Sequence, residues 1–515
     1  MPRRTFPSWP LPWLVLLGAL AYLQPTLGIF SGMLDEGLVL TPADRILHGE
    51  VVYRDFYLYT GPLIPYLFAG WMKLFGTSLE AAHLLLWLVR AASCALLYPV
   101  ARRLVSPGLA LAPPLMLLFS YAAEPNNLVG HWVANLLLAL ACALLVAWAG
   151  APTPGGVVAT GAALGLAVLG LHSFAALLGV AAVATVVFVR WGRGPGPVLR
   201  DLGLLALGGV AAVLPWLAWL GSRGALGAMG AAMVTSNLGR AGFEFIRLPT
   251  ALDQFASLLV PGRGTFPFLT GLVLLGGLLA LLVGTPLLWL RRPEARTPAL
   301  FAVFACALAL QAACLYRLLP SQVLMHGWLS FVLAVAVLDR AGRPGRVALV
   351  GFLLLFVPLG GSWWEASRRF RFPVGFPRGE ARVQSEGEAA ELRRLVRFLE
   401  RKTAGHPEAF FIPYEPNLYF LMDLRNPTPY FQMRALQYGR EQMADALAWL
   451  DRRPGAPVFF FPAYDSEAFL RANWPDLDLG AYRQQWDGFM QGLQARYEVE
   501  DFGAVQVLSR RGDSR

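Results

Sequence analysis

Charge is scarce in this sequence. Of 515 residues 15% are charged and 56% hydrophobic, and a mean hydropathy of +0.51 excludes a water-soluble enzyme of this length. Lysine is nearly absent: of 43 basic residues only Lys73 and Lys402 are lysine. With the Ala, Gly, Leu and Pro load, that bias points to a GC-rich bacterial genome. No stretch combines a basic patch with stacking aromatics, so the net charge of +10 does not indicate a nucleic-acid partner. The four cysteines, Cys94, Cys142, Cys306 and Cys314, all fall inside apolar segments, where they read as small core residues and exclude a disulfide or zinc framework. A small-residue cleavage site is missing after the basic, apolar start "MPRRTFPSWPLPWLVLLGALAYL", which therefore reads as an uncleaved first helix.

Long apolar runs are what the chain has instead, from residue 11 to about 360. Taking about 20 apolar residues per crossing, spans are expected near 11–30, 80–101, 108–122, 128–149, 156–171, 174–190, 202–221, 266–290, 298–316, 322–338 and 345–360. The fold class is thus a mainly α polytopic membrane protein of about eleven transmembrane helices. The pair at 156–190 is divided only by the thin turn "LGLHSF". Arginines cluster in alternate short loops: Arg3 and Arg4; Arg102 and Arg103; Arg190, Arg193 and Arg200; Arg291, Arg292 and Arg296; Arg340, Arg343 and Arg346. The positive-inside rule then places the N-terminus in the cytoplasm of a bacterial inner membrane and exports the C-terminal part. Residues 1–361 are expected to form the membrane body and 362–515 an extracytoplasmic domain. The long outer segments 31–79 and 222–265 would form the site.

In the first outer segment, "LTPADRILHGE" has the spacing of a helix lying along the interface. "GPLIPYLFAGWMKLFG" reads as a second juxtamembrane helix or as the start of the next span. The C-terminal part alternates helix and strand: helices at "EGEAAELRRLVRFLERK" and "EQMADALAWLDRR", strands at "AFFIP", "PVFFFP" and "GAVQVLSRR". It reads as a small α/β unit without a G-x-G-x-x-G, a P-loop or a Cys/His metal pattern. Such a unit should be separable, so deletion of residues 375–515 should leave some activity on a minimal acceptor.

Carboxylates concentrate in the outer loops. Asp44, Glu50 and Glu80 read as solvated loop or surface-helix residues. Asp35 and Glu36, in "SGMLDEGLVL", follow the first apolar run so closely that a partly desolvated acid is expected at the membrane face, a functional candidate by default. Glu124, in "SYAAEPNNLVGHW" with Asn126, Asn127 and His131, is a second outer acid. Two such acids at one depth can activate a hydroxyl or bind a divalent cation. His83, His172 and His326 read as packing residues.

The acidic pair after span one, "ADRILHGEVVYRDF", "GPL" and "LFGTS" together resemble the GT-C membrane glycosyltransferases. The nearest likeness is to the family-39-like branch, which includes protein O-mannosyltransferases and lipid A aminoarabinose transferases. "PNLYFLMDLRNPTPY" resembles the exported domain of bacterial members. The resemblance implies transfer of a sugar from a polyprenyl-phosphate donor to a lipid, glycan or protein acceptor on the outer side, with inversion. Asp35 matches the general base, with Glu36 its neighbour, and Glu124 matches the acid of the second outer loop. No cofactor is required by this likeness, and a divalent cation, on Asp35 and Glu124 if anywhere, stays open. The departing phosphate needs cations, for which the outer residues Arg54, Lys73, Arg240, Arg247, Arg263 and Arg317 are candidates. Asp55 in "YRDF" would organise the loop, and Tyr53, Tyr57 and Tyr59 would contact sugar or anchor at the interface. "LLPSQVLMHGWLS" departs from the family's more regular run, which bears on the donor. The alternative is a transporter or flippase of a lipid-linked saccharide. That reading predicts internal repeats and charges within spans; no repeat is found, and Arg90 is the only basic residue clearly inside a span.

Overall fold

A computed structural model of the chain describes residues 10–30, 35–120, 130–236, 246–260, 264–317, 320–433, 438–453, 455–502 and 505–510. The first half consists of helices α1 (Leu11–Leu23), α2 (Gly37–Leu47), α3 (Leu63–Phe75), α4 (Leu79–Arg102), α5 (Ala112–Ser120), α6 (His131–Gly150), α7 (Pro154–Arg190) and α8 (Pro195–Ser222). Among the described residues, six helical stretches are long and apolar enough to cross a membrane: α4, α6, α7, α8, Thr265–Arg291 and Arg343–Ser367. Shorter apolar helices stand at Leu11–Thr26, Leu63–Phe75, Leu109–Ser120 and Pro298–Ala313.

Helix α7 is the informative case. Its 37 residues would reach about 55 Å if straight, nearly twice the hydrocarbon thickness. The backbone leaves helical geometry at Leu171 (φ −135°, ψ 83°), and both ends of the element return to one side chain. A Cβ on Gly156 would stand 3.3 Å from Trp148 Cδ1, while the Arg190 guanidinium lies 5.8 Å from the Trp148 ring. The chain therefore reverses at Leu171, within the stretch "LGLHSF", and residues 154–170 and 172–190 run antiparallel. The first arm packs on α8 almost backbone to backbone: a Cβ on Gly161 would fall 2.0 Å from the Leu205 carbonyl, the close approach small residues permit between membrane helices.

The helix that ends the membrane body runs through residue 361 to Ser367. A hairpin follows, β1 (Phe372–Phe376) with β2 (Gly379–Val383), and then helix Glu386–Lys402, capped by the Ser385 side chain accepting from Glu388 N–H. A four-stranded sheet completes the chain: β3 (Phe410–Ile412), β4 (Val458–Phe460), β5 (Tyr497–Phe502) and β6 (Val505–Arg510), in the order β3-β4-β6-β5. The pair β3/β4 is parallel, with helix Arg440–Asp451 in the crossover, and the other pairings are antiparallel. Both β3 and β4 are buried throughout, as continuous apolar runs should be.

The C-terminal region clamps the chain between α1 and α4. Phe30 N–H donates to Arg382 O (2.9 Å) and Arg382 N–H to Gly28 O (2.8 Å), so β2 pairs in parallel with the chain that leaves α1. Leu79 N–H donates to Arg378 O (3.0 Å). Glu80, exposed as expected, also accepts Glu380 N–H at 2.6 Å. Helix α2, expected on the surface, lies beneath helix Pro416–Leu421, and Val39, Leu40, Ala43 and Asp44 are buried. Asp44 is 5% exposed, and the Arg378 guanidinium bridges it to Asp423. Arg45 pairs with Glu50 at 2.7 Å and donates to Thr428 O at 2.8 Å. Buried apolar residues of both parts, among them Phe30, Val39, Phe411 and Phe459, form one continuous core. This packing weighs against a separable C-terminal unit, because excising it would uncover the apolar face of α2 and take Arg378 away from Asp44, which would keep only His48, 3.6 Å away.

Candidate functional site

Asp35 and Glu36 occupy the turn that opens α2, where Leu40 N–H bonds back to Glu36 O at 2.9 Å. Though adjacent, their side chains lie in different surroundings. Glu36 is fully buried, with Oε1 3.0 Å from His83 Nε2 on α4 and Oε2 accepting from Asn417 Nδ2 at 3.3 Å. A carboxylate so deep is tolerable only with such partners. Expected beside Asp35 among the catalytic acids, Glu36 is instead a pin joining α2, α4 and the C-terminal region, and His83 is its partner. Asp35 is half-buried, and its Oδ1 accepts from the Tyr414 hydroxyl at 3.1 Å.

The segment 413–417, which leaves β3 and enters helix Pro416–Leu421, was not among the sequence candidates. It lies against the first turn of α2. Thr41 Oγ1 donates to Pro416 O at 2.5 Å, and a Cβ on Gly37 would sit 2.1 Å from Asn417 N, so only glycine fits after Asp35 and Glu36. Within the segment, Glu415 is fully buried, and neither of its oxygens meets a hydrogen-bond donor at normal geometry. Burial lifts its pKa to about 8, a rise that the neighbouring Tyr464 hydroxyl tempers. The signal that could have found this segment is "IPYEPN" itself: polar residues placed directly after a wholly apolar strand.

Other expected residues are placed as follows. Asp55 takes Arg54 Nε and Nη2 at 2.8 and 2.7 Å and Val51 N–H at 2.7 Å, tying the 51–55 loop together. The Arg54 guanidinium holds its carboxyl below the usual range, and Arg54 is thereby committed to Asp55. Buried Tyr53, with φ of 70°, donates to Thr60 O at 2.6 Å. Tyr57 docks on the C-terminal region: its N–H donates to Pro429 O at 2.9 Å and its ring lies 5.0 Å from that of Tyr438. Tyr59 is half-buried in the same loop. His131 opens α6, with Nδ1 3.2 Å from His326 Nε2, and Phe174 lies 4.1 Å from the His326 ring. Exposed Lys73 lines a cavity of about 720 Å³ with Asp44, His48, Tyr66 and Arg378. Arg247 N–H and Thr250 Oγ1 donate to Asp476 at 2.8 and 3.0 Å, pinning residues 247–250 to the C-terminal region. Glu124, Asn126, Asn127, Arg240 and Arg263, and the side chain of Arg317, lie outside the described residues. Among the described residues no three His, Cys, Asp or Glu side chains gather as a metal site.

No family model and no curated protein matches the sequence. Solved structures do match. ArnT from Cupriavidus metallidurans bound to undecaprenyl phosphate aligns at TM-score 0.54 and 15% identity, over 98% of each chain. An Archaeoglobus fulgidus oligosaccharyltransferase tethered to an acceptor peptide containing the NVT sequon aligns at 0.51 and 13%, over 93% of this chain and 72% of that one. The archaeal oligosaccharyltransferase AglB from Archaeoglobus fulgidus, with an inhibitory peptide and a dolichol-phosphate, aligns at 0.50 and 12%, over 98% and 75%. The likeness is one of fold. The chain has the GT-C-type architecture expected from its opening motifs, a multi-pass helical membrane body with a small C-terminal sheet region.

Proposed function

We propose that this chain transfers a sugar from a polyprenyl-phosphate donor to a lipid, glycan or protein acceptor at the extracytoplasmic face of a bacterial inner membrane, with Asp35 as general base. The observation that carries the reading is the placement of Asp35. It is a half-buried carboxylate just beyond the first apolar helix, oriented by a tyrosine hydroxyl at 3.1 Å, beside a second acid wholly committed to structure. Two neighbours in fold support it, one solved with undecaprenyl phosphate and one with a dolichol-phosphate. In the reaction the acceptor hydroxyl oxygen attacks the anomeric carbon and its proton passes to Asp35. The bond from that carbon to the phosphate oxygen breaks, its electron pair leaving with the polyprenyl phosphate, and the configuration inverts. Lys73, Arg247, Arg240 and Arg263 supply positive charge for the leaving phosphate. Glu124 works beside Asp35, and those two acids are the place for a divalent cation if transfer needs one. Glu36 holds the turn through His83 and Asn417.

A transfer assay in detergent tests this. Purified wild type and Asp35→Asn receive a panel of radiolabelled polyprenyl-phosphate sugars with total membrane extract as acceptor, with and without chelator. Transfer by the wild type alone is expected, and the chelator arm decides the cation. An Asp35→Asn variant at wild-type rate would remove the base assignment.

A further inference from the structure

We propose that the C-terminal region completes the active site through residues 413–417, with Tyr414 the positioning residue for Asp35; this rests on Asp35 being the base. Tyr414 is itself buried at 5% exposure, and the strand before it is fixed on both sides of its path: Phe410 N–H donates to Pro457 O at 2.9 Å and Phe461 N–H to Ile412 O at 2.8 Å. Its hydroxyl therefore reaches Asp35 Oδ1 from a held ring, across 379 residues of sequence. Two and three residues further on, the Pro416 carbonyl accepts from Thr41 and the Asn417 amide donates to Glu36. Three contacts from residues 414, 416 and 417 thus land on residues 35, 41 and 36, and the backbone approach at Gly37 leaves no room for slippage.

A catalytic carboxylate on a turn samples several rotamers, and a productive arrangement tolerates only small errors of distance and angle. The turn itself does not need the Tyr414 hydroxyl for stability, because Glu36 already anchors it to His83. What the hydroxyl adds is a fixed direction for the half-buried acid beside that anchor. A donor to an ionised carboxylate also makes one of the stronger hydrogen bonds available in a protein. In this arrangement the exported region is a working part of the transferase, and the acceptor reaches a base oriented by both parts of the chain.

The test compares Tyr414→Phe with Tyr419→Phe in the full-length protein. Tyr419 carries a buried hydroxyl of the same region that accepts Phe411 N–H at 2.8 Å. Loss of the Tyr414 hydroxyl is expected to lower kcat by about tenfold to a hundredfold, while the donor KM stays within about twofold. Tyr419→Phe is expected to keep the wild-type kcat. Incorporating 3-fluorotyrosine at position 414 restores a hydroxyl on the same ring and should return the activity, which also separates the effect from misfolding. Wild-type kcat in Tyr414→Phe, equal losses in the two variants, or no rescue by 3-fluorotyrosine would each overturn the proposal. The Asp35→Asn arm tells the two failures apart. If that variant is inactive while Tyr414→Phe is not impaired, the base stands and only the positioning role falls. If Asp35→Asn transfers normally, both fall.

Discussion

Glu415→Gln should abolish a fall in stability that the wild type shows between pH 4.5 and 8. Glu415 is fully buried, and burial raises its pKa from the ordinary 4.5 to about 8. Below 4.5 the carboxyl is protonated in both folded and unfolded chains and contributes no pH dependence. Between 4.5 and 8 the unfolded chain releases the proton while the folded chain keeps it. The contribution of Glu415 therefore declines with rising pH, by about 1.4 kcal/mol per unit, and is fully lost above the folded value. At pH 7 the loss is on the order of 3 kcal/mol. Glutamine cannot ionise, so its own curve should lack this slope, whatever constant offset the buried amide brings. The assay is thermal unfolding of the detergent-solubilised full chain, followed by tryptophan fluorescence from pH 5 to 8.5. The melting temperature of the variant relative to wild type should rise across that range by roughly a few degrees. A difference that stays constant with pH would refute the reasoning, since it would mean that Glu415 is ionised, or solvated, in the folded protein.

The other expectations concern the same corner of the molecule. Glu36→Ala should remove a buried partner of both His83 and Asn417 and cost about 3–5 kcal/mol, seen as a marked drop in melting temperature; unchanged melting would show the acid is not buried in use. Gly37→Ala should abolish transfer although no reacting group changes, because its Cβ would fall 2.1 Å from Asn417 N and lift the segment that holds Asp35; wild-type kcat would contradict that packing. Deletion of residues 375–515 should leave no activity even on a minimal acceptor, measured in the same transfer assay, since it uncovers α2 and removes Tyr414. Partial survival would restore the view of a separable region.

Much of the fold is legible because its signals are local. A run of about 20 apolar residues must be a crossing or a core helix wherever it falls, so α4, α6 and α8 stand close to where the hydropathy puts them. Helix Glu386–Lys402 begins at a serine cap with a glutamate three residues on, and β3 and β4 are unbroken apolar runs. The reversal at Leu171 was carried only by a thin polar turn, yet it sits there. The hairpin β1/β2 was missed because "FPVGFPRGEARV" has two prolines, two glycines and little alternation. Its stability comes from docking on residues 28–30 and 79–80, which composition cannot register.

The surface reading of α2 failed for a related reason. Thr41, Asp44 and Arg45 make a polar stripe, and a polar stripe on a lone helix means solvent. Their partners Pro416, Arg378 and Thr428 lie 375, 334 and 383 residues away in the chain, so the stripe is an interface between two parts of one protein. The same distance hides the division of labour in "DEG". Spacing alone offers two adjacent acids and a glycine, and only the family likeness singles out Asp35. The fold separates them by what each meets: His83 and Asn417 engage one acid, a tyrosine hydroxyl meets the other, and the glycine is the gap through which the distant segment arrives. On the proposed assignment of Asp35 as base, which carboxylate reacts is decided by residues 413–417 as much as by the turn that carries both acids. A change confined to that distant segment should move the chemistry without altering any outer loop of the membrane body.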